Sequence, residues 1–438
     1  MSATELGTSF LLAVVVILIV CRGVTLLLRP VGQPPVVAEM IAGVLLGPSV
    51  LGLLLPSVEH HLFPLELRPV LYVAGQLGLV LFMFQSGYEF RLERMKSVAG
   101  SALMISVAGI MTPLLLGSGL TWAAHDAVDT SPPGVPLHVT VLFVGVTLAI
   151  TAFPMLARII IERRLSGTVF GTISLAAGAL DDVAAWILLA GVVSLARGTA
   201  GTLVLATAGG AGLVAALYLL VRFRGPLLRA TDRLTAEQLL LVTLLVMCVA
   251  AWYTDRIGLY AVFGAFSLGA AFPHSPRIHR TVETTAPLSG MLLLPLFFTY
   301  SGLNTDTGLL GDPALLMFAA GCTLVAVVGK FGACWLAARL GGQPQGVALR
   351  IGTLMNARGL MQLIAINVGL ADGIVSPSMF TVLVLVAVVT TVMATPLLAL
   401  WDRRDGGVPA PQDDPPAGAG ESPAPVAGLG GPSVAGGA

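Results

Sequence analysis

The sequence predicts an all-α polytopic membrane protein, and three observations carry that prediction. Of its 438 residues 56% are hydrophobic and only 11% are charged, with a mean hydropathy of +0.92, far more apolar than any soluble globular class. Apolar runs long enough to cross a hydrocarbon core recur along nearly the whole chain. The basic residues then fall unequally between the loops that join those runs.

In chain order the runs are 8–28, 35–55, 70–90, 98–122, 138–160, 167–195, 200–221, 237–254, 257–273, 286–304, 313–338, 347–370 and 377–401, which makes thirteen transmembrane helices. The first is read as a helix rather than a signal peptide, because it follows Glu5 instead of a basic segment and leads to no small-residue cleavage site. With the N-terminus outside, sixteen of the 23 basic residues, Arg91, Arg94 and Lys96 among them, lie on the cytoplasmic side. Only Arg68, Arg197 and Arg256 lie outside, while Arg22, Arg158, Lys330 and Arg358 fall within helices. That imbalance fixes the orientation and makes the C-terminus cytoplasmic. The Pro/Gly/Ala-rich stretch 406–438 lacks the apolar content to fold and reads as a disordered cytoplasmic tail, leaving residues 1–405 as the membrane domain.

Net charge is formally zero, so no nucleic-acid partner is implied. Cys21, Cys248, Cys322 and Cys334 lie inside apolar runs without metal-ligand spacing and read as small packing residues. The six histidines fall in or beside loops, where a solvated surface accounts for them. Glu39 lies within two turns of its helix start and reads as a side chain that snorkels or pairs with a basic loop rather than one with a transport role.

Two runs are interrupted. "LAITAFPMLARII" places Thr151 and Pro154 deep in the fifth helix, and "GTLMNARGLMQLI" places Asn356, Arg358 and Gly359 in the twelfth. Starting outside, the fifth runs inward and the twelfth outward. Interrupted helices of opposite direction in the two halves point to inverted repeats, with a substrate site near the midplane where the breaks meet.

Three ionisable residues sit where charge is most costly. Asp181 and Asp182, in "AAGALDDVAAWILLAG", lie near the middle of the sixth run, where insertion costs roughly 2.5–3.5 kcal/mol for each ionised group. Lys330, in "LVAVVGKFGACWLAARL", lies about 14 Å from the cytoplasmic end of its helix. The chain has 21 Arg and only two Lys, Lys96 and Lys330. Arginine keeps its proton in proteins whereas a desolvated lysine can release it, so lysine at this depth favours a group that titrates, with a plain buried salt bridge as the competing reading. Adjacent helical residues point about 100° apart, so the two aspartates need separate partners. Asp181 is assigned to Lys330, and Asp182 to an aqueous cavity where it takes a proton or a small cation. Because burial and a like charge favour the protonated carboxyl while an ammonium favours the carboxylate, such a coupled pair suits exchange of protons for metal ions. An intramembrane aspartyl protease would need carboxyl groups converging from separate helices, which adjacency at 181 and 182 opposes.

Six segments, "GQPPVVAEMIAGVLLGPSVLG", "LGLVLFMFQSGYEF", "TAFPMLARIIIERR", "GALDDVAAWILLA", "LPLFFTYSGLNTD" and "MNARGLMQLIAINVG", follow one another in the order of a known family. Over residues 8–402 the chain resembles the cation:proton antiporter-2 family, particularly its sodium/proton antiporter-like and plant cation/proton exchanger-like members. The resemblance implies a homodimer in the cell membrane, with a scaffold at about 8–90 and 200–304. A mobile core at about 98–195 and 313–401, holding two crossed unwound helices, would move as an elevator. It implies no enzyme activity and no cofactor. Asp182 matches the aspartate that binds cation and proton, Asp181 the aspartate paired with a core lysine, and Lys330 that lysine. Thr151 matches the polar residue of the first unwound segment, and Asn356 and Arg358 lie in the second. The Asp-Asp pair with lysine resembles the electrogenic branch, exchanging Na+, K+ or Li+ for protons. Many relatives carry an acidic residue where Gln362 stands, and plant exchangers often carry Asn where Asp181 stands. The alternative on the same fold is a ligand-gated potassium efflux channel or permease; the family's glutathione-gated systems carry a nucleotide-binding domain that residues 1–438 lack.

Overall fold

The structure is a computed structural model that describes residues 2–89, 98–128, 130–165, 167–197 and 200–404. The basic cluster of Arg91, Arg94 and Lys96 and the tail at 406–438 lie outside the described residues. Within them the chain is helical throughout, with no strand. The helices are α1 (Ala3–Leu28), α2 (Pro35–Leu46), α3 (Pro56–Leu62), α4 (Arg68–Glu89), α5 (Ala99–Ala123), α6 (Leu137–Ala149), α7 (Phe153–Glu162), α8 (Val169–Arg197), α9 (Ala200–Arg222) and α10 (Arg224–Thr231). There follow α11 (Ala236–Arg256), α12 (Ala261–Ala271), α13 (Pro276–Pro287), α14 (Leu294–Leu303), α15 (Pro313–Leu324), α16 (Lys330–Leu340), α17 (Gln345–Met355), α18 (Leu360–Ala371) and α19 (Pro377–Arg404). Wide π turns at Pro48–Gly52, Leu288–Leu293 and Val325–Gly329 join or extend several of them. Local sequence explains the clearest starts: Ser2 with Glu5 and Thr235 with Gln238 close capping boxes at α1 and α11.

Eleven helical stretches among the described residues are long and apolar enough to cross a membrane, or twelve if Thr207–Arg222 and Arg224–Thr231, bent by 68°, form one span. This is a multi-pass membrane protein. Run 200–221 forms the 23-residue helix α9, which turns by 68° into α10 at Phe223. The count falls short of the thirteen expected crossings at run 257–273, which yields only α12, because Tyr260 (φ 62°, ψ 142°) and Phe272 (φ −64°, ψ 144°) leave helical geometry at its ends. Eleven residues rise about 16 Å, roughly half of a hydrocarbon core.

Two packing neighbourhoods frame the molecule. In one, α4 lies against α12 and α14, and α2 against α14. Gly43 and Gly302 let α2 and α14 touch backbone to backbone: a Cβ on Gly302 would lie 2.0 Å from the Gly43 carbonyl oxygen. In the other, α5 packs on α6, α8 and α16, and α17 on α8 and α16. Asp181, Asp182 and Lys330 are carried by α8 and α16 of this second group.

Candidate functional site: two helix breaks around a buried Asp-Asp-Lys group

Helical bonding stops at Ala149 and resumes at Phe153, and stops again at Met355 to resume at Leu360. Pro154 therefore occupies the first turn of α7, where a missing N–H costs nothing, rather than a helix interior where it would remove a hydrogen bond. Gly359 enters α18 with φ 126°, a backbone state that side-chain-bearing residues rarely adopt. The two breaks touch directly, the Ala152 N–H donating to the Ala357 carbonyl at 3.3 Å.

Each break exposes helix ends, and the charged residues meet them. The C-terminal carbonyls of α6 form its negative pole: Lys330 Nζ donates to the Ala149 oxygen at 2.6 Å, and an Arg358 terminal nitrogen to the Thr147 oxygen at 3.4 Å. Arg358 also donates to the Ala326 oxygen at 3.0 Å from within the π turn before Lys330, and its Nε has no partner. It is fully buried. At the opposite pole, the Phe153 N–H that opens α7 donates to Asp182 Oδ1 at 3.3 Å.

The two aspartates, both fully buried, differ in how completely they are satisfied. Asp181 Oδ2 accepts from Lys330 Nζ at 2.7 Å and from the Thr151 hydroxyl at 2.7 Å, while Oδ1 accepts from the Ser106 hydroxyl at 2.6 Å. Thr151 also lies 3.1 Å from the Met355 oxygen, so one hydroxyl links Asp181 to the end of α17. Among the described residues Asp182 has the single Phe153 hydrogen bond, and its Oδ2 has no partner. Asn356 Oδ1 and both amide atoms of the fully buried Gln362 are likewise unpartnered, one in the second break and the other in the first turn of α18.

The structure thus brings Asp181, Lys330 and Thr151 into one bonded group, sets Asp182 at the start of α7, and puts Asn356 and Arg358 in the facing break. It does not open Asp182 to solvent as expected: the residue is fully buried, with the first amide of α7 over its carboxylate. Sequence reading missed Ser106 and the backbone groups of Ala149, Phe153 and Met355. A lone serine in an apolar helix usually bonds its own preceding turn, so Ser106 gives no signal, and backbone donors give none beyond the proline that marks where α7 starts.

Comparison with known proteins adds the family. The model of the sodium/hydrogen exchanger transmembrane family matches residues 12–401. The chain belongs to that family. This exchanger-family chain is 34% identical over 397 residues to the Na+/H+ antiporter NhaS4 of Synechocystis, covering 88% of its own length and 95% of the relative. It is 35% identical to cation/H+ antiporter 17 of Arabidopsis thaliana and 30% identical to K+/H+ antiporter 1 of Saccharomyces cerevisiae, matching 89% and 91% of itself but only 48% and 47% of those proteins. It therefore spans about half the length of these plant and yeast relatives. The fold of the exchanger-family chain is that of the sodium proton antiporter MjNhaP1 from Methanocaldococcus jannaschii, with a TM-score of 0.58 at 16% identity over 90% of this chain and 97% of the other.

Proposed function

We propose that the protein is a secondary active monovalent cation/proton antiporter in which H+ and Na+, K+ or Li+ alternate at Asp182. The observation that carries this reading is the contrast within the aspartate pair: Asp181 accepts three side-chain hydrogen bonds, whereas Asp182 keeps a buried oxygen with no partner. A buried carboxylate in that condition gains from either positive partner, a proton on the oxygen or an alkali ion against it, and one excludes the other. That mutual exclusion couples two opposite fluxes without a continuous path. The relatives named for Na+/H+, K+/H+ and cation/H+ exchange support the same reading while leaving the carried ion open.

In this scheme Asp181 is the anchor for Lys330, Thr151 and Arg358 hold the two breaks in register, and Asn356 supplies a polar group within the second break. Lysine rather than arginine at 330 lets the ammonium give up its proton once per cycle, which would make exchange electrogenic. The helices at about 98–195 and 313–401 would form a mobile core moving as an elevator against a scaffold at about 8–90 and 200–304 in a homodimer. α12 would complete thirteen crossings in the cell membrane, N-terminus outside.

The test is purified protein in liposomes with a pH-sensitive dye inside and sodium, potassium and lithium added in turn. Asp182→Asn is expected to abolish cation-driven proton movement while keeping thermal unfolding near wild type. Retained exchange in that variant rejects the site, and cation flux that needs no proton gradient rejects antiport in favour of a channel or permease.

A further inference from the structure

At the end of α1 the chain turns through Gly32 into α2, and the turn, α1, α7 and α19 enclose a cavity of about 390 Å³. Arg22, Arg29 and Arg163 line it, and no carboxylate does. Arg22 and Arg29 are exposed and form no salt bridge among the described residues. Arg163 is fixed at the wall, donating to the Thr395 carbonyl at 3.3 Å. Gly32 makes the turn beside it on a backbone at φ 70°, a conformation that favours glycine.

Thr395 and Gln33 close the wall behind these arginines, 1% and 9% exposed, with Gln33 Nε2 engaged with the Val392 carbonyl at 2.9 Å. The lining thus offers three guanidinium groups. Guanidinium forks match the oxygens of a phosphate. Depth agrees with a ligand at the membrane surface, since Arg29 follows the last residue of α1 and Arg22 lies about 10 Å further in. Basic pockets between transmembrane helices bind lipid phosphates for this reason.

We propose that this cavity binds a phosphate group, either of an anionic phospholipid headgroup or of free phosphate, held by Arg22, Arg29 and Arg163. The ligand ties α1 to α7 and α19, so its binding stabilises the folded chain. The proposal rests on the residues of this cavity and stands or falls separately from the assignment of Asp182.

The experiment is thermal unfolding of the delipidated full chain in neutral detergent, titrated with phosphatidylglycerol, with phosphatidylcholine, and with inorganic phosphate against matched sodium chloride. A saturable rise in melting temperature with phosphatidylglycerol alone identifies a lipid ligand, and the same rise with inorganic phosphate identifies the free anion. Arg22→Gln or Arg163→Gln is expected to weaken the response about tenfold, the loss of one charge-assisted hydrogen bond. Arg29→Gln alters an exposed side chain just past the end of α1, so it leaves the unliganded melting temperature unchanged and weakens the response likewise. No saturable rise with either anion overturns the proposal, as does a wild-type response in both Arg22→Gln and Arg29→Gln.

Discussion

At the residue scale the chain separates two neighbouring carboxylates into unlike states. Asp181 is surrounded by an ammonium and two hydroxyls, while Asp182 faces one backbone amide at 3.3 Å. Removing one member of a buried ion pair strands the other, at a cost of about 3–5 kcal/mol. Lys330→Gln is accordingly expected to lower the melting temperature, and adding Asp181→Asn to restore part of the loss, since the second change removes the stranded charge; additive losses in the double variant contradict the pairing. In liposomes Lys330→Gln should also remove or weaken the dependence of exchange on membrane potential, and an unchanged voltage response counts against lysine as a proton carrier. The three charged residues were legible because ionised groups in the middle of apolar runs stand out against composition. Their partners were not: Ser106 lies 75 positions from Asp181 in a separate helix, and nothing in its local sequence distinguishes it from a serine bonded to its own turn.

At the element scale, interrupting a helix creates binding groups that no side chain supplies. The break between Ala149 and Phe153 yields carbonyls that hold Lys330 and Arg358, and an amide that meets Asp182, so cations meet the negative pole and a carboxylate the positive one. Proline, glycine and polar residues marked both interruptions in the sequence. The close contact of α2 with α14 is the opposite case, since Gly43 and Gly302 are two among 51 glycines and only the assembled structure puts them face to face. Gly302→Ala drives a methyl into the Gly43 backbone and is expected to destabilise by about 1–3 kcal/mol. Gly119→Ala, where nothing lies within 4 Å of the added carbon, serves as its control, and equal melting temperatures for the two variants contradict the packing.

At the scale of the whole molecule the outstanding quantity is parity. Eleven or thirteen crossings put the termini on opposite faces, whereas twelve put them on the same face. In a chain with its four native cysteines replaced, Ser2→Cys is expected to react with an impermeant thiol reagent from outside intact cells and Ala438→Cys only after lysis. Labelling of both from one side would refute the thirteen-crossing topology and the orientation drawn from the basic residues. The short helix Ala261–Ala271 is where that parity is decided, because its run has the composition of a span while Tyr260 and Phe272 end the helix early.

By itself the sequence determined that this chain is a bundle of apolar helices with two weak points and an Asp-Asp-Lys group placed deep within its apolar runs. A bilayer lets no backbone group rely on water, so each segment must satisfy itself and its own composition decides whether it spans. Tertiary structure alone decided which charge is satisfied and which is not, since that depends on hydroxyls and backbone atoms from α5, α6, α7 and α17 converging on α8. Such convergence is a matter of distance between remote parts of the chain, and linear spacing does not encode it.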